Sequence, residues 1–225
     1  LGLFEGVVTG MADGYGRMTG TPASTLLHLG PGLGNGLANL HNAKKAHSGI
    51  VNIVGEHATY HIEYDAPLTA DIEGIAKPVS HWVKTSPNAK TIAADGAAAI
   101  AAANQPPGQI ASLILPANTA WDDADGVADT PAAPSRSKVD EKAVKNAVAV
   151  LKSGKPTLLM MTGQVLYENG LNLAGRIASA TGAKLMAQGS NQRLQRGAGI
   201  VPVNRVPYPV PQALDVLSPY EHIIL

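Results

Sequence analysis

Short apolar runs alternate with helix-length segments along nearly the whole chain, and that alternation restricts it to one fold class. The runs are Ala23 to Leu29, Ile50 to Val54, a stretch near Trp82 and Val83, Ile110 to Leu115, Thr157 to Met161, Lys184 to Ala187 and His222 to Leu225. Helical segments are expected at Leu3 to Met18, Leu33 to His47, Asp71 to Ala76, Asn88 to Asn104, Asp140 to Lys152, Leu166 to Thr181 and Gln212 to Leu217. A strand, a helix and a further strand in succession are the sequence form of a crossover that sets neighbouring strands parallel. The expected fold class is therefore α/β, with parallel sheets between helix layers in three-layer domains.

Between Ala120 and Ser137 the texture changes to Asp, Ala, Pro and Ser without any apolar period. That composition marks a linker, and it divides the chain into residues 1–120, a linker 121–137, and residues 138–225. With 45% apolar and only 15% charged residues, against about 25% charged in an average domain, part of the surface is expected to lie under a partner. Zero net charge leaves no electrostatic footprint for nucleic acid or an acidic membrane. The absence of cysteine excludes disulfides and thiolate chemistry and fits a cytoplasmic location. Apolar stretches stop well short of the ~20 residues of a membrane span. Leu1-Gly2-Leu3 lacks the basic start of a signal peptide. Both ends look cut, so an internal stretch of a longer protein is expected.

Several residues could carry chemistry. Glu5 stands among apolar Leu3, Phe4, Val7 and Val8, a setting that predicts burial and, unless the carboxylate is paired, a raised proton affinity. Gly30-Pro31-Gly32-Leu33-Gly34-Asn35 reads as a strand-to-helix turn. As a dinucleotide fingerprint it fails, since glycine is missing at 35 and at 37, which leaves an NAD-linked oxidoreductase as a weaker alternative. His28 ends the preceding strand, where α/β sheets place functional groups; a satisfied strand-end histidine is the plain alternative. His57 and His61, spaced i,i+4, invite a metal reading, but no H-E-x-x-H pattern accompanies them and Pro67 argues against a long helix. No metal ligand is assigned, and this segment is expected to line the entrance of a site.

The order of Glu5 on a Gly/Ala-rich helix, Asp13-Gly14-Tyr15-Gly16-Arg17-Met18-Thr19-Gly20, and the run Ala23 to Leu29 ending in Gly30-Pro31-Gly32-Leu33-Gly34-Asn35 resembles the pyrimidine-binding domain of thiamine-diphosphate enzymes of the acetolactate synthase and benzoylformate decarboxylase superfamily. Gln192-Arg193-Leu194-Gln195-Arg196-Gly197-Ala198-Gly199 and Val206-Pro207-Tyr208-Pro209 are similar, more weakly, to its Rossmann-like central domain. The resemblance implies that Glu5 activates the aminopyrimidine to form the ylid, which serves as the electron sink for loss of CO2 from a 2-oxo acid. It places Gly30, Pro31, Gly32 and Asn35 beside the pyrimidine ring. His28 matches a proton-transfer histidine of the benzoylformate-decarboxylase-like members and departs from the synthase pattern. The outcome is decarboxylation or carboligation. The implied cofactors are thiamine diphosphate and Mg2+, the latter held by a Gly-Asp-Gly motif of a third domain. Here Asp-Gly occurs at 13–14, 95–96 and 125–126, each time after Ala. Some members bind FAD or another nucleotide in the central domain, a point left open, as is a grip on phosphate by Arg193 and Arg196. The family further implies a homo-oligomer with the active site shared between subunits, so that this stretch alone is expected to be inactive. A non-catalytic nucleotide-binding subunit that kept the fold is the remaining alternative.

Overall fold

Four strands, Ala23–Leu27 (β1), Ile50–Glu56 (β2), Trp82–Thr85 (β3) and Ile110–Pro116 (β4), form a parallel sheet in the order β1-β2-β4-β3. In this computed structural model, which describes residues 1–225 apart from 133 and 136, they belong to the first of two units, residues 1–136 and 137–225. Helices Glu5–Thr19 (α1), Leu29–Lys45 (α2), Ile72–Ala76 (α3) and Ile92–Ala103 (α4) flank the sheet. Local signals end and start them. Gly20, left-handed at φ 73°, stops α1 by donating its N–H to the Gly16 carbonyl. Asp71 caps α3 by accepting from the Gly74 N–H at 2.8 Å.

Alternation along β2 and β4 sorts the core into two layers. Ile50, Val54, Ile110 and Ile114 pack with Leu33 and Leu40 of α2 and with Ile72 and Ala76 of α3. Val51, Ala111 and Leu113 face the other way, onto Ala99 and Ala103 of α4. The sheet is thus covered on both faces, the three-layer arrangement expected from the sequence. One rung breaks the apolar pattern. Thr25, Asn52 and Ser112 are register partners across β1, β2 and β4 and all three are buried. Thr25 Oγ1 donates to Asn52 Oδ1 at 2.8 Å, Asn52 Nδ2 donates to Ser112 Oγ at 3.1 Å, and the Ser80 and Ser112 hydroxyls share a bond of 2.8 Å.

A second buried polar group locks α4 to β3. The Asp95 side chain accepts from Ser86 Oγ at 2.8 Å and from Thr91 Oγ1 at 3.0 Å, and pairs with Lys84. Burial pushes its carboxyl up, yet bonds from Lys84, Ser86 and Thr91 outweigh burial and hold it below the usual carboxylate range. A group whose folded pKa is depressed stabilises the fold above its unfolded value, and that contribution is lost as pH falls through the folded value. The denaturation midpoint of the first unit should therefore fall as pH drops below about 4, and Asp95→Asn should flatten the drop. Tryptophan fluorescence can follow it, because Trp82 and Trp121 both lie in this unit. Parallel pH profiles for the wild type and variant would contradict the assignment.

In the second unit, Thr157–Met161 (β5), Lys184–Ala187 (β6), Asn204–Arg205 (β7) and His222–Ile224 (β8) form a parallel sheet in the order β7-β6-β5-β8. Helices Glu141–Leu151 (α5), Glu168–Thr181 (α6) and Val210–Leu217 (α7) accompany it. Met161, Leu166, Leu171, Ala174 and Ala187 make its core. The helix expected from Leu166 starts two residues later. Tyr167 is extended (φ −93°, ψ 163°) and separates α6 from a short 3-10 turn at Gly163–Leu166. The two-residue β7 lies in a Gly/Pro-rich crossing where no strand was expected, and α7 begins at Val210 rather than Gln212, with proline in its first turn. Of the expected linker 121–137, residues 133 and 136 lie outside the described residues, and the others form no helix or strand. Among the described residues no helix is long and apolar enough to cross a membrane.

Candidate functional site

Small residues bring the starts of α1 and α2 together. A Cβ on Gly36 would fall 2.8 Å from Thr9 Cγ2, so only glycine permits the crossing at this distance. Thr9 Oγ1 reaches the Gly36 carbonyl at 3.1 Å while also bonding Glu5 O at 3.0 Å, and Asn39 Nδ2 donates to Gly6 O at 2.6 Å. The lock sets Glu5, the first residue of α1, against the first turns of α2. There Asn35 Nδ2 donates to Glu5 Oε2 at 3.0 Å. A Cβ on Gly32 would lie 3.2 Å from Glu5 Oε1 and 3.2 Å from His28 Cβ. Glu5, His28, Gly32 and Asn35 thus come together.

The expected burial of Glu5 does not hold. Leu3, Phe4 and Val7 are 96%, 53% and 54% exposed, and Glu5 itself is half-buried. These apolar neighbours point away from the sheet rather than over the carboxylate. Nor is proton affinity raised. The hydrogen bond from Asn35 leads, a backbone bond at Glu5 and the charge of His28 add to it, and together they overcome slight desolvation to hold the carboxyl below its ordinary value. The site therefore presents an ionised acceptor.

Gly30-Pro31-Gly32 is not a turn ahead of the helix. α2 begins at Leu29, with His28 as its N-cap residue, and these residues form its first turn. The chain swings from β1 into α2 through Leu29, held buried at φ 53°. A bulky residue there costs about 1–3 kcal/mol of backbone strain, a cost that persists where packing over-determines it and that recurs at functional sites. Gly30 faces away from Glu5: its Cβ would meet Ala70 Cβ at 2.6 Å. Pro31 is exposed.

Beyond His28, at the same strand ends, opens a cavity of about 380 Å3 whose wall includes Glu56, His57, Tyr60, His61 and Trp121. Residues 57–61 form no helix, so His57 and His61 do not share a helical face, and their rings meet edge-on with centroids 5.6 Å apart. Among the described residues no group of three His, Cys, Asp or Glu is placed to hold a metal ion. In the second unit the Arg193 guanidinium sits 4.9 Å above the Tyr167 ring. The contact between Glu5 and Asn35, thirty residues apart, could not be read from spacing. Its one sequence trace is the glycine pair Gly32 and Gly36, one turn apart on the face that meets α1.

A helix-terminal carboxylate faces a glycine-bared helix start beside a cavity at the ends of parallel strands, the place where open α/β sheets bind ligands. Residues 2–81 match the family described as thiamine pyrophosphate enzyme, N-terminal TPP binding domain. The chain is 48% identical over 226 residues to IlvX of Mycobacterium tuberculosis (strain ATCC 25618 / H37Rv), an acetolactate-synthase-like large subunit, over all of this chain and 43% of that protein. It is 30% identical over 217 residues to the benzoylformate decarboxylase of Pseudomonas aeruginosa, over 95% of this chain and 39% of the relative. A solved structure ascribed to a thiamin diphosphate-dependent enzyme of Mycobacterium smegmatis superposes with a TM-score of 0.88 at 24% identity, covering 98% of this chain and 43% of its own. The 4-hydroxybenzoylformate decarboxylase of Rhodococcus jostii RHA1 gives 0.85 at 22% identity, over 99% and 43%; both share the fold. Residues 2–81 thus carry a thiamine pyrophosphate enzyme N-terminal domain, and the chain as a whole is similar to these relatives. It spans about 43% of the length of the first of these relatives.

Proposed function

We propose that this chain forms the pyrimidine end of a thiamine-diphosphate-dependent 2-oxo acid decarboxylase or carboligase. Residues 1–120 would be the pyrimidine-binding domain and residues 138–225 part of the Rossmann-like central domain. The reading is carried by the Glu5 carboxylate, fixed by Asn35 at 3.0 Å over the bare backbone of Gly32. A gap that a Cβ would fill, next to an ionised acceptor, fits a flat ring with a protonatable nitrogen. When bound, thiamine diphosphate supplies the electron sink for decarboxylation. Asn35 orients the carboxylate through Oε2 and leaves Oε1 on the side of Gly32, where it would hold and return the ring nitrogen's proton. Gly32 would admit the ring, and Gly30 would act through packing against Ala70. His28, at the cavity edge, would move a proton at the substrate.

Supporting each product outcome is one relative, a synthase-like subunit and a decarboxylase, and His28 inclines the reading to the decarboxylase branch. Mg2+ would join the diphosphate outside the described residues. No nucleotide is assigned to the second unit. The partners would be a 2-oxo acid and a second copy of the chain in the cytoplasm. α1 leaves Phe4, Val7, Met11, Tyr15 and Met18 exposed at helical spacing, a stripe that a neighbouring subunit sharing the site would cover.

Proton exchange at C2 of thiamine diphosphate bound to the intact enzyme, followed by NMR, tests the reading. Exchange well above the free-cofactor rate supports it, and exchange at the free-cofactor rate overturns it. His28→Ala is expected to lower kcat by about 100-fold while the cofactor's Kd changes less than about threefold, as for a lost proton-transfer group. A large rise in that Kd with normal kcat at saturation would assign His28 to cofactor holding instead.

A further inference from the structure

We infer that Asn118 is a positioning residue: it clamps together the two strand-end segments that wall the cavity beside His28, and so sets how the 2-oxo acid is held. The inference rests on the function proposed above and adds a residue to that site. One wall comes from the loop after β2, through His57, Tyr60 and His61, and the other from the turn after β4, through Ala117 and Trp121. β2 and β4 are neighbours with Glu56 opposite Pro116 in register, so the two segments leave the sheet side by side. There the ladder of strand bonds ends. Among the described residues, one hydrogen bond joins residues 57–61 to residues 117–121: the Thr59 N–H donates to Asn118 Oδ1 at 3.0 Å.

Asn118 is buried, and both ends of its amide are used. Its Nδ2 donates to Asp122 Oδ2 at 3.3 Å, while its main-chain carbonyl accepts from the Asp122 N–H at 2.9 Å and the Trp121 N–H at 3.4 Å. The amide fits one way round, because the Thr59 N–H needs an oxygen and the Asp122 carboxylate needs a donor. Trp121, 62% exposed at the cavity, is thereby fixed through its main chain to the residue that also holds the opposite loop. Residues 57–61 form no helix or strand, and a segment without ladder bonds keeps one shape only where other groups pin it. Asn118 stands behind these walls rather than in them, so it acts on a bound substrate through the residues it places. Such placement matters, since a misplacement of about 1 Å in groups that orient a substrate can cost about 100-fold in rate.

In the intact enzyme, with pyruvate or benzoylformate as substrate, Asn118→Ala should raise KM by about tenfold and change kcat by less than about threefold. Proton exchange at C2 of the bound cofactor needs no substrate and should keep its wild-type rate, which a general loss of structure would not allow. Asn118→Asp keeps an acceptor for the Thr59 N–H but sets a second carboxylate against that of Asp122, so it should be impaired as well. Reversing the pair, as Asn118→Asp/Asp122→Asn, remakes both bonds with donor and acceptor exchanged, and should return KM to within about twofold of the wild type. Fluorine NMR of enzyme carrying fluorinated tryptophan reads the wall directly, with the Trp121 line identified by its loss in Trp121→Phe. That line should shift or broaden in Asn118→Ala and regain its wild-type position in the reversed pair. A wild-type KM or an unmoved Trp121 line in Asn118→Ala, a parallel fall of kcat and C2 exchange, or a reversed pair no better than Asn118→Asp each overturns the inference. If Asn118→Ala does not fold, the comparison of Asn118→Asp with the reversed pair decides. The fluorine signal does not depend on turnover, so a failure of the cofactor reading would appear separately, as C2 exchange at the free-cofactor rate in the wild type.

Discussion

In the cofactor-saturated enzyme, Glu5→Gln is expected to slow C2 proton exchange of thiamine diphosphate by about 100-fold or more, the scale of a lost acid–base group. The substitution isolates the proton from everything else at this position. A glutamine carbonyl still accepts from Asn35 Nδ2, which now bonds Glu5 Oε2 at 3.0 Å. The amide fits the same space against Gly32. Thr9 bonds the backbone carbonyl of Glu5 rather than its side chain, so the lock between α1 and α2 stays in place. Loss of the negative charge at the α1 N-terminus removes a favourable interaction with the helix dipole that solvent already screens, and thermal denaturation should register little change. What the amide cannot do is take up and return a proton. Asn35→Ala should act in the same direction and more weakly. It removes the leading cause of the lowered Glu5 pKa and leaves the carboxylate present. Wild-type exchange in a saturated Glu5→Gln enzyme would remove Glu5 from the chemistry.

The parallel α/β fold was legible because its strands are apolar runs separated by helices, a pattern that neighbouring contacts do not overwrite. β5 and β6 begin and end where the sequence places them, at Thr157–Met161 and Lys184–Ala187. Boundaries moved where backbone geometry decides. Leu29 ends an apolar run in the sequence, yet it takes a left-handed conformation and opens α2, a choice imposed by packing beyond its neighbours in sequence. β7 comprises two exposed residues and carries no periodicity to detect. At the site, the structure groups Glu5, His28, Gly32 and Asn35, while Gly30 packs against Ala70 and Pro31 is exposed. The ionisation of Glu5 was not legible. Apolar neighbours predicted burial, but Phe4, Val7 and Met11 form an outward stripe, and whether a helical apolar face looks inward depends on which side its neighbour helix occupies. His57 was legible as half of a rejected metal pair and as part of a segment lining the entrance of a site, and it does line the cavity beside His28.

Asn52→Ala is expected to destabilise the first unit by about 3 kcal/mol, near the upper end for a single buried substitution. Asn52 is wholly buried and is the middle of a chain that runs from Thr25 through Ser112 to Ser80. Removing it strands the Thr25 hydroxyl and deprives Ser112 of a donor, in a layer otherwise filled by Ile50, Val54, Ile110 and Ile114. A cavity adds to the loss. Hydrogen bonds contribute modestly when made, but a buried polar group left without its partner costs its full desolvation. Replacing every member with an apolar residue of similar size, as in Thr25→Val/Asn52→Leu/Ser80→Ala/Ser112→Ala, should therefore recover most of the stability that Asn52→Ala removes. The polar rung has a further consequence. A one-residue slip of β2 would send its polar and apolar residues to opposite faces, and only the native register aligns Asn52 with both Thr25 and Ser112. The fourfold variant should then fold with broader amide dispersion changes confined to β1, β2 and β4, because an all-apolar layer specifies register less sharply. Urea denaturation followed by tryptophan fluorescence reads the first part and amide spectra the second. A single Asn52→Ala variant within about 0.5 kcal/mol of the wild type, the range of an ordinary surface change, would show that the rung contributes neither stability nor register.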